Sequence, residues 1–111
     1  MAAYKPERGD IIFTDFDPSA GHEQARKRPA LVLSPKIFNE QSGLALVVPI
    51  TSTVRGNGFE TALTKNMKTS GVLLCHHVKT IDFHARGFSF IEKAPKAIIS
   101  DVLSKVQLLI S

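Results

Sequence analysis

The stretch Gly43-Leu44-Ala45-Leu46-Val47-Val48-Pro49-Ile50-Thr51 decides the fold class. It is a short apolar run opened by a glycine, and it reads as a buried strand. Pro49 has no amide to give to a ladder, so the strand is bulged there or lies at an edge. The neighbouring segments carry the same signature. Upstream, Pro29 begins Ala30-Leu31-Val32-Leu33-Ser34, a second short apolar run, and Gly9-Asp10 opens Ile11-Ile12-Phe13-Thr14-Asp15-Phe16, rich in β-branched and aromatic residues. Pro35 to Ser42 reads as a brief helical turn. Downstream, Gly56-Asn57-Gly58 is hairpin-turn chemistry before a strand over Phe59 to Thr64. Gly71 to His76 is a further apolar run, which His77 to Ile81 continues in alternation. His84 to Gly87 reads as a bend, and Phe88 and Phe90 share a face of the strand that follows.

The last segment has a different period. From Pro95 on, Ile98, Ile99, Val102, Leu103, Val106, Leu109 and Ile110 recur at intervals of three and four, the stripe of an amphipathic helix, with Pro95 suited to its first turn. Five to seven short strands followed by one helix predict a mainly β (α+β) architecture. The expected form is a small barrel or half-barrel with a short mid-chain helix and a C-terminal helix capping it. At 111 residues the chain has room for one domain, residues 1–111.

Composition removes several function classes. The single cysteine, Cys75, sits in the apolar Gly71-Val72-Leu73-Leu74-Cys75 run and reads as a core residue. It excludes an intramolecular disulfide and a thiolate-rich zinc site, and it fits a reducing cytoplasm. The polar start is not a signal peptide, and the apolar runs fall far short of the ~20 residues a membrane span needs. No glycine-rich phosphate loop and no GxSxG is present. The formal net charge is +4, with 14 Lys and Arg against 10 Asp and Glu, which favours a polyanionic partner. Residues 1–20 hold Lys5 and Arg8 against Glu7, Asp10, Asp15 and Asp17, so the positive excess belongs to the remainder.

The stretch richest in chemistry is Gly21-His22-Glu23-Gln24-Ala25-Arg26-Lys27-Arg28-Pro29, on a loop of about ten residues between two strands. Arginine pairs bidentately with phosphate and lysine adds a point charge. Arg28 is held against Pro29 and a buried strand, and Glu23 is near enough in sequence to share its site. Thr51-Ser52-Thr53 ends the Leu46–Ile50 strand with hydroxyls suited to phosphate oxygens, and Arg55 lies just beyond. His76 and His77, read on a strand, point to opposite faces and so do not chelate one ion; no metal and no cofactor is expected. For an RNA substrate the chemistry needs no metal: the ribose 2′-OH attacks the adjacent phosphorus. In that reaction Arg28 neutralises developing charge, Thr51 holds a phosphate oxygen and Glu23 takes the proton.

The motifs Arg8-Gly9-Asp10-Ile11, Phe16-Asp17-Pro18, Gly21-His22-Glu23-Gln24, Arg28-Pro29-Ala30-Leu31-Val32-Leu33-Ser34-Pro35, Val48-Pro49-Ile50-Thr51 and Val78-Lys79-Thr80-Ile81-Asp82 with Ala85-Arg86 run through nearly the whole chain. In these the sequence resembles the MazF/PemK family of toxin endoribonucleases. The resemblance implies an SH3-like barrel with a C-terminal helix, acting as a homodimer. It implies cleavage of single-stranded RNA (mRNA) at a short sequence, leaving 2′,3′-cyclic phosphate and 5′-OH ends and arresting translation and growth. It further implies neutralisation by a cognate acidic antitoxin. On matching positions the catalytic set is Arg28, Thr51 and Glu23. The RNA-contacting set is Phe16, Asp17, Gln24, Arg26, Lys27, Thr53, Arg55, His77, Lys79 and Arg86. One departure stands out: many relatives carry an acid or amide followed by Gln just before the position of Val78, where this chain has His76-His77. The alternative in another class is a toxin of the same fold that poisons DNA gyrase by binding, without cutting.

Overall fold

The computed structural model describes residues 4–15 and 27–111. Along them run β1 (Asp10–Asp15), β2 (Lys27–Val32), α1 (Lys36–Ser42), β3 (Leu44–Thr51), β4 (Glu60–Ala62), β5 (Val72–Leu74), β6 (Lys79–Asp82), α2 (Phe83–Arg86), β7 (Phe88–Lys93) and α3 (Lys96–Ile110). The strands pair antiparallel in the order β4-β5-β3-β2-β1-β7, with β6 also on β3. Among the described residues β4 and β7 do not pair with each other, so the sheet is strongly curved but open, and the expected barrel is not closed.

β3 organises the sheet. On one edge it pairs with β2 (Ala30↔Pro49, Leu31↔Val48, Val32↔Val47). On the other edge its first half pairs with β6, from Leu44↔Asp82 to Val47↔Lys79, and its end pairs with β5 at Ile50↔Leu73 and Thr51↔Val72. Pro49 is therefore in a central strand, not at the sheet's edge, and it falls in the gap between those two ladders. The Leu33 amide donates to the Leu46 carbonyl at 2.8 Å, and the alternation from that point aims the Pro49 nitrogen at the gap. A residue without an N–H leaves no donor orphaned there.

Alternation along the strands splits the core into two. Ile11, Leu31, Leu33, Val48, Ile50 and Leu73 face α3 and pack on its Ile98, Val102 and Val106. Ile12, Ala30, Val32, Ala45, Val47 and Ile81 face the other way, onto Phe83 of α2 and Phe88. Burial on both faces is why the strands read as continuous apolar runs instead of alternating ones.

Four boundaries differ from the sequence reading. β2 begins at Lys27, so Arg28 is on a strand and not in the preceding loop. The strand expected over Phe59 to Thr64 is only Glu60–Ala62. The segment 84–87 is a helical turn, Phe83–Arg86, whose N-cap Asp82 accepts from the Ala85 amide at 3.1 Å. Residues Cys75–His77 form a 3₁₀ turn that bridges β5 and β6. α3 carries the expected stripe, with Pro95 as its N-cap, but Leu109 and Ile110 run past the core and are exposed, Ile110 by 80%.

Candidate functional site

Strand parity assembles a polar patch on the face opposite α3. Arg28 shares a face with Ala30 and Val32, Thr51 with Ala45 and Val47, Thr14 with Ile12, and Lys79 with Ile81. Arg28 is in register with Thr14. Continuing the β2–β3 register by two residues sets Arg28 across from Thr51. The apolar middles of these strands are buried, whereas their polar ends reach the surface: Arg28 and Thr51 are half-buried and Lys79 is exposed.

The 3₁₀ turn and the segment after β3 complete the patch. His77 is exposed, and its ring meets His76 edge-on with centroids 4.4 Å apart. The tight turn, not strand alternation, sets that pair, so the opposite-faces argument for the two histidines does not apply. Burial holds the His77 imidazole below the ordinary histidine range, and the charges of His76, Arg28 and Arg55 add to this. Arg28 from β2 and Arg55 from the segment after β3 therefore act on one imidazole. Thr53 donates its amide to Thr51 Oγ1 at 3.2 Å. Arg55 and Gly56 donate theirs to the two oxygens of the Glu60 carboxylate, at 3.0 and 2.9 Å.

Lys27 and Arg86 gather beside Thr14, at the β1 side of this patch. Alternation turns Lys27 away from the face of Arg28, although the two are adjacent in sequence. With Arg86, Lys27 lines a cleft of about 240 Å³ floored by Phe13, Thr14 and Phe88. Arg86 Nη1 donates to the Asp15 carbonyl at 3.2 Å, and Thr14 Oγ1 to the Gly87 carbonyl at 2.7 Å, which ties α2 to β1. Phe16, Asp17, Glu23, Gln24 and Arg26 lie outside the described residues. No group of three or more His, Cys, Asp or Glu able to hold a metal gathers among the described residues, and no helix there is long and apolar enough to cross a membrane.

Two residues of the patch were not singled out from sequence. Thr14 sits in the first expected strand, where its hydroxyl carries no local signal of chemistry. Glu60 had a signal, a carboxylate just after the Gly56-Asn57-Gly58 turn and five residues from Arg55, but only the folded hairpin turns that spacing into contact. A groove of about 800 Å³ between α1, β3 and the end of α3 lies on the other side of the sheet and is mostly apolar.

A chain with this sheet and this cationic, hydroxyl-bearing face has clear relatives. The family described as "PemK-like, MazF-like toxin of type II toxin-antitoxin system" matches residues 7–110. Endoribonuclease PemK of Escherichia coli is 38% identical over 109 residues, covering 95% of this chain and 82% of that one. Endoribonuclease toxin MazF of E. coli strain K12 is 45% identical over 87 residues, 78% of each chain. The solved MazE-MazF complex of Deinococcus radiodurans (Form-III) contains a chain 34% identical, with a TM-score of 0.89 over 96% of this chain and 97% of that one.

Proposed function

The chain belongs to the PemK-like, MazF-like toxin family of type II toxin–antitoxin systems, and from that membership we propose how its surface binds and cuts RNA. It is an endoribonuclease, the toxin half of such a module. The gyrase-poisoning alternative gains no support from these relatives, two of which are named as endoribonucleases.

The observation that carries the site reading is that Arg28 and Thr51 share the face away from α3, with Thr53 bonded to Thr51 and with Arg28 and Arg55 both near enough to act on the His77 imidazole. Single-stranded RNA lies across this face. The 2′-OH attacks the neighbouring phosphorus, the P–O5′ bond breaks, the departing 5′-oxygen takes a proton from water, and the products carry 2′,3′-cyclic phosphate and 5′-OH ends. Arg28 neutralises charge that accumulates on the phosphoryl oxygens, because its guanidinium stays protonated and presents a planar fork. Thr51 fixes a phosphate oxygen, and Glu23 accepts the 2′-OH proton. Thr53, Arg55, His77 and Lys79 contact the flanking nucleotides. Lys27 and Arg86 extend the track toward the cleft they line, and Phe16, Asp17, Gln24 and Arg26 are assigned to RNA contact from the family pattern alone. Since the nucleophile belongs to the substrate, the reaction needs no metal-bound water and no cofactor to supply one.

The same cationic face binds the acidic segment of an antitoxin of the MazE kind, in competition with RNA; one of the relatives is solved as a MazE–MazF complex. The single toxin domain, residues 1–111, works as a homodimer in the cytoplasm. The apolar groove of about 800 Å³, with exposed Phe38 and Ile110 at its rim, supports an interface between two copies.

The test is cleavage of a mixed-sequence RNA in EDTA with analysis of the fragment ends. Cyclic phosphate ends are expected, and a substrate with a single 2′-deoxy at the cut site should resist. Loss of activity in EDTA, or cutting of the deoxy substrate, overturns the mechanism. Gyrase inhibition without RNA cleavage restores the alternative.

A further inference from the structure

We propose that Glu60 is a positioning residue for RNA binding, holding the Thr53–Arg55 arm over the face that bears Arg28 and Thr51. This rests on the RNA-cleaving reading above and deepens it. Residues 52–58 are exposed and extend from the end of β3 with little packing of their own. The bonds that fix their course are few. Thr53 N reaches Thr51 Oγ1, Phe59 N reaches Asn57 Oδ1 at 2.8 Å, and the Glu60 carboxylate takes both the Arg55 and Gly56 amides, one per oxygen. Two amides on one carboxylate form a bidentate clamp of charge-assisted bonds, stronger than neutral ones. The clamp fixes the backbone at the arm's only arginine, whose charge reaches His77.

Glu60 is itself held from behind. It begins β4, where it pairs with Leu74, the residue before the histidine turn. Lys105 of α3 donates to the Glu60 carbonyl at 2.8 Å and to Thr61 Oγ1 at 3.0 Å. Asp101, one helical turn earlier, pairs with Lys105 at 2.8 Å and accepts from Thr61 Oγ1 at 2.6 Å. A line of contacts therefore runs from the C-terminal helix through β4 to the arm. An arm fixed before RNA arrives spares the complex the ordering entropy of several exposed residues.

The sign of the effect separates this role from simple electrostatics. Glu60 is an anion beside a surface that binds an anion. If its charge were all that mattered, removing it should tighten RNA binding. If it positions the arm, removing it should weaken binding although the protein becomes more positive. For Glu60→Ala, KM for RNA should rise about tenfold with kcat within about twofold. Glu60→Gln, which keeps one acceptor oxygen, should fall between. In an Arg55→Ala background the Glu60 substitutions should have little further effect, since the charge they orient is gone. Should Glu60→Ala fail to fold by circular dichroism, the Glu60→Gln and Arg55→Ala cycle decides. Unchanged or tighter binding in Glu60→Gln, or full additivity with Arg55→Ala, overturns the proposal while leaving RNA cleavage by the wild type intact. A wild-type protein that neither binds nor cuts RNA overturns the underlying reading as well.

Discussion

Gly71 and Thr51 approach so closely that a Cβ on Gly71 would stand well inside van der Waals contact with the Thr51 carbonyl oxygen. Gly71 also has φ +119°, a conformation that L side chains rarely adopt. The contact forms where β5 begins to pair with the end of β3, at Thr51↔Val72. The residue that would hold a phosphate oxygen is thus set by a glycine 20 positions later in the chain. Gly71→Ala should destabilise the fold by at least about 2 kcal/mol and lower cleavage in the fraction that folds, because Thr51 must move. Urea unfolding beside single-turnover cleavage checks this; a variant as stable and active as the parent would contradict the contact.

Arg28→Ala should lower single-turnover cleavage by about 100- to 1,000-fold, the scale of removing one oxyanion-stabilising group. Its stability should change little, since Arg28 is half-buried at the start of β2 and beyond the apolar core. Arg28→Lys keeps the charge but loses the planar fork, and should recover only part of the rate. Equal rates for parent and Arg28→Ala would remove Arg28 from the catalytic set.

Lys93 donates to Asp10 Oδ1 at 2.5 Å and to Glu7 Oε2 at 2.8 Å. The Asp10 side chain is only 2% exposed, and it also accepts from the Tyr4 hydroxyl and the Glu7 amide. Burial opposes the Lys93 charge, but the hydrogen bonds and charges of Asp10 and Glu7 outweigh it and raise the ammonium above the ordinary lysine range. Lys93→Met should cost about 1–3 kcal/mol, from a buried carboxylate left short of a partner. The value belongs at the low end, because the Lys93 side chain is half exposed and water replaces part of what is lost. The raised ammonium contributes fully below the ordinary lysine range and loses that contribution as pH climbs through its own value. Chemical denaturation of parent and variant at neutral and alkaline pH measures both effects.

The lowered His77 imidazole works in two directions. In the folded chain it holds a proton less readily than in the unfolded chain, so the unfolded state binds more protons below about pH 6.5. Stability should therefore decline as pH falls through that range, and His77→Gln should flatten the decline. RNA affinity should move the other way. A protonated His77 adds a cation to the Arg28 and Arg55 surface, and the salt dependence of binding should steepen by about one unit of slope on acidification. Fluorescence titrations at several salt concentrations at pH 5.5 and 7.5 read this; identical slopes for parent and His77→Gln would exclude His77 from the RNA face.

Much of this was legible in the chain itself. Apolar runs punctuated by glycine and proline specify strands, a three-and-four stripe specifies a helix, and the block from Gly21 to Pro35 names the family, because these are local properties of neighbouring residues. Arg28, Thr51 and Arg55 were legible as chemistry for the same reason. What the chain did not show is how the pieces face one another. Lys27 and Arg28 are adjacent in sequence, yet strand alternation sends them to opposite faces of β2, because the strand already begins at Lys27. His76 and His77 meet edge-on because β5 gives way to a 3₁₀ turn where β3 changes partner. Gly71 lies under Thr51, and Glu60 holds the Arg55 amide, through pairings set by sheet register, a relation between distant segments that no local pattern encodes. The sequence by itself determined which groups are available and the class of reaction they serve. Tertiary structure alone decided which of them share a face, because a one-residue change of register or strand start moves a side chain to the opposite side of the sheet.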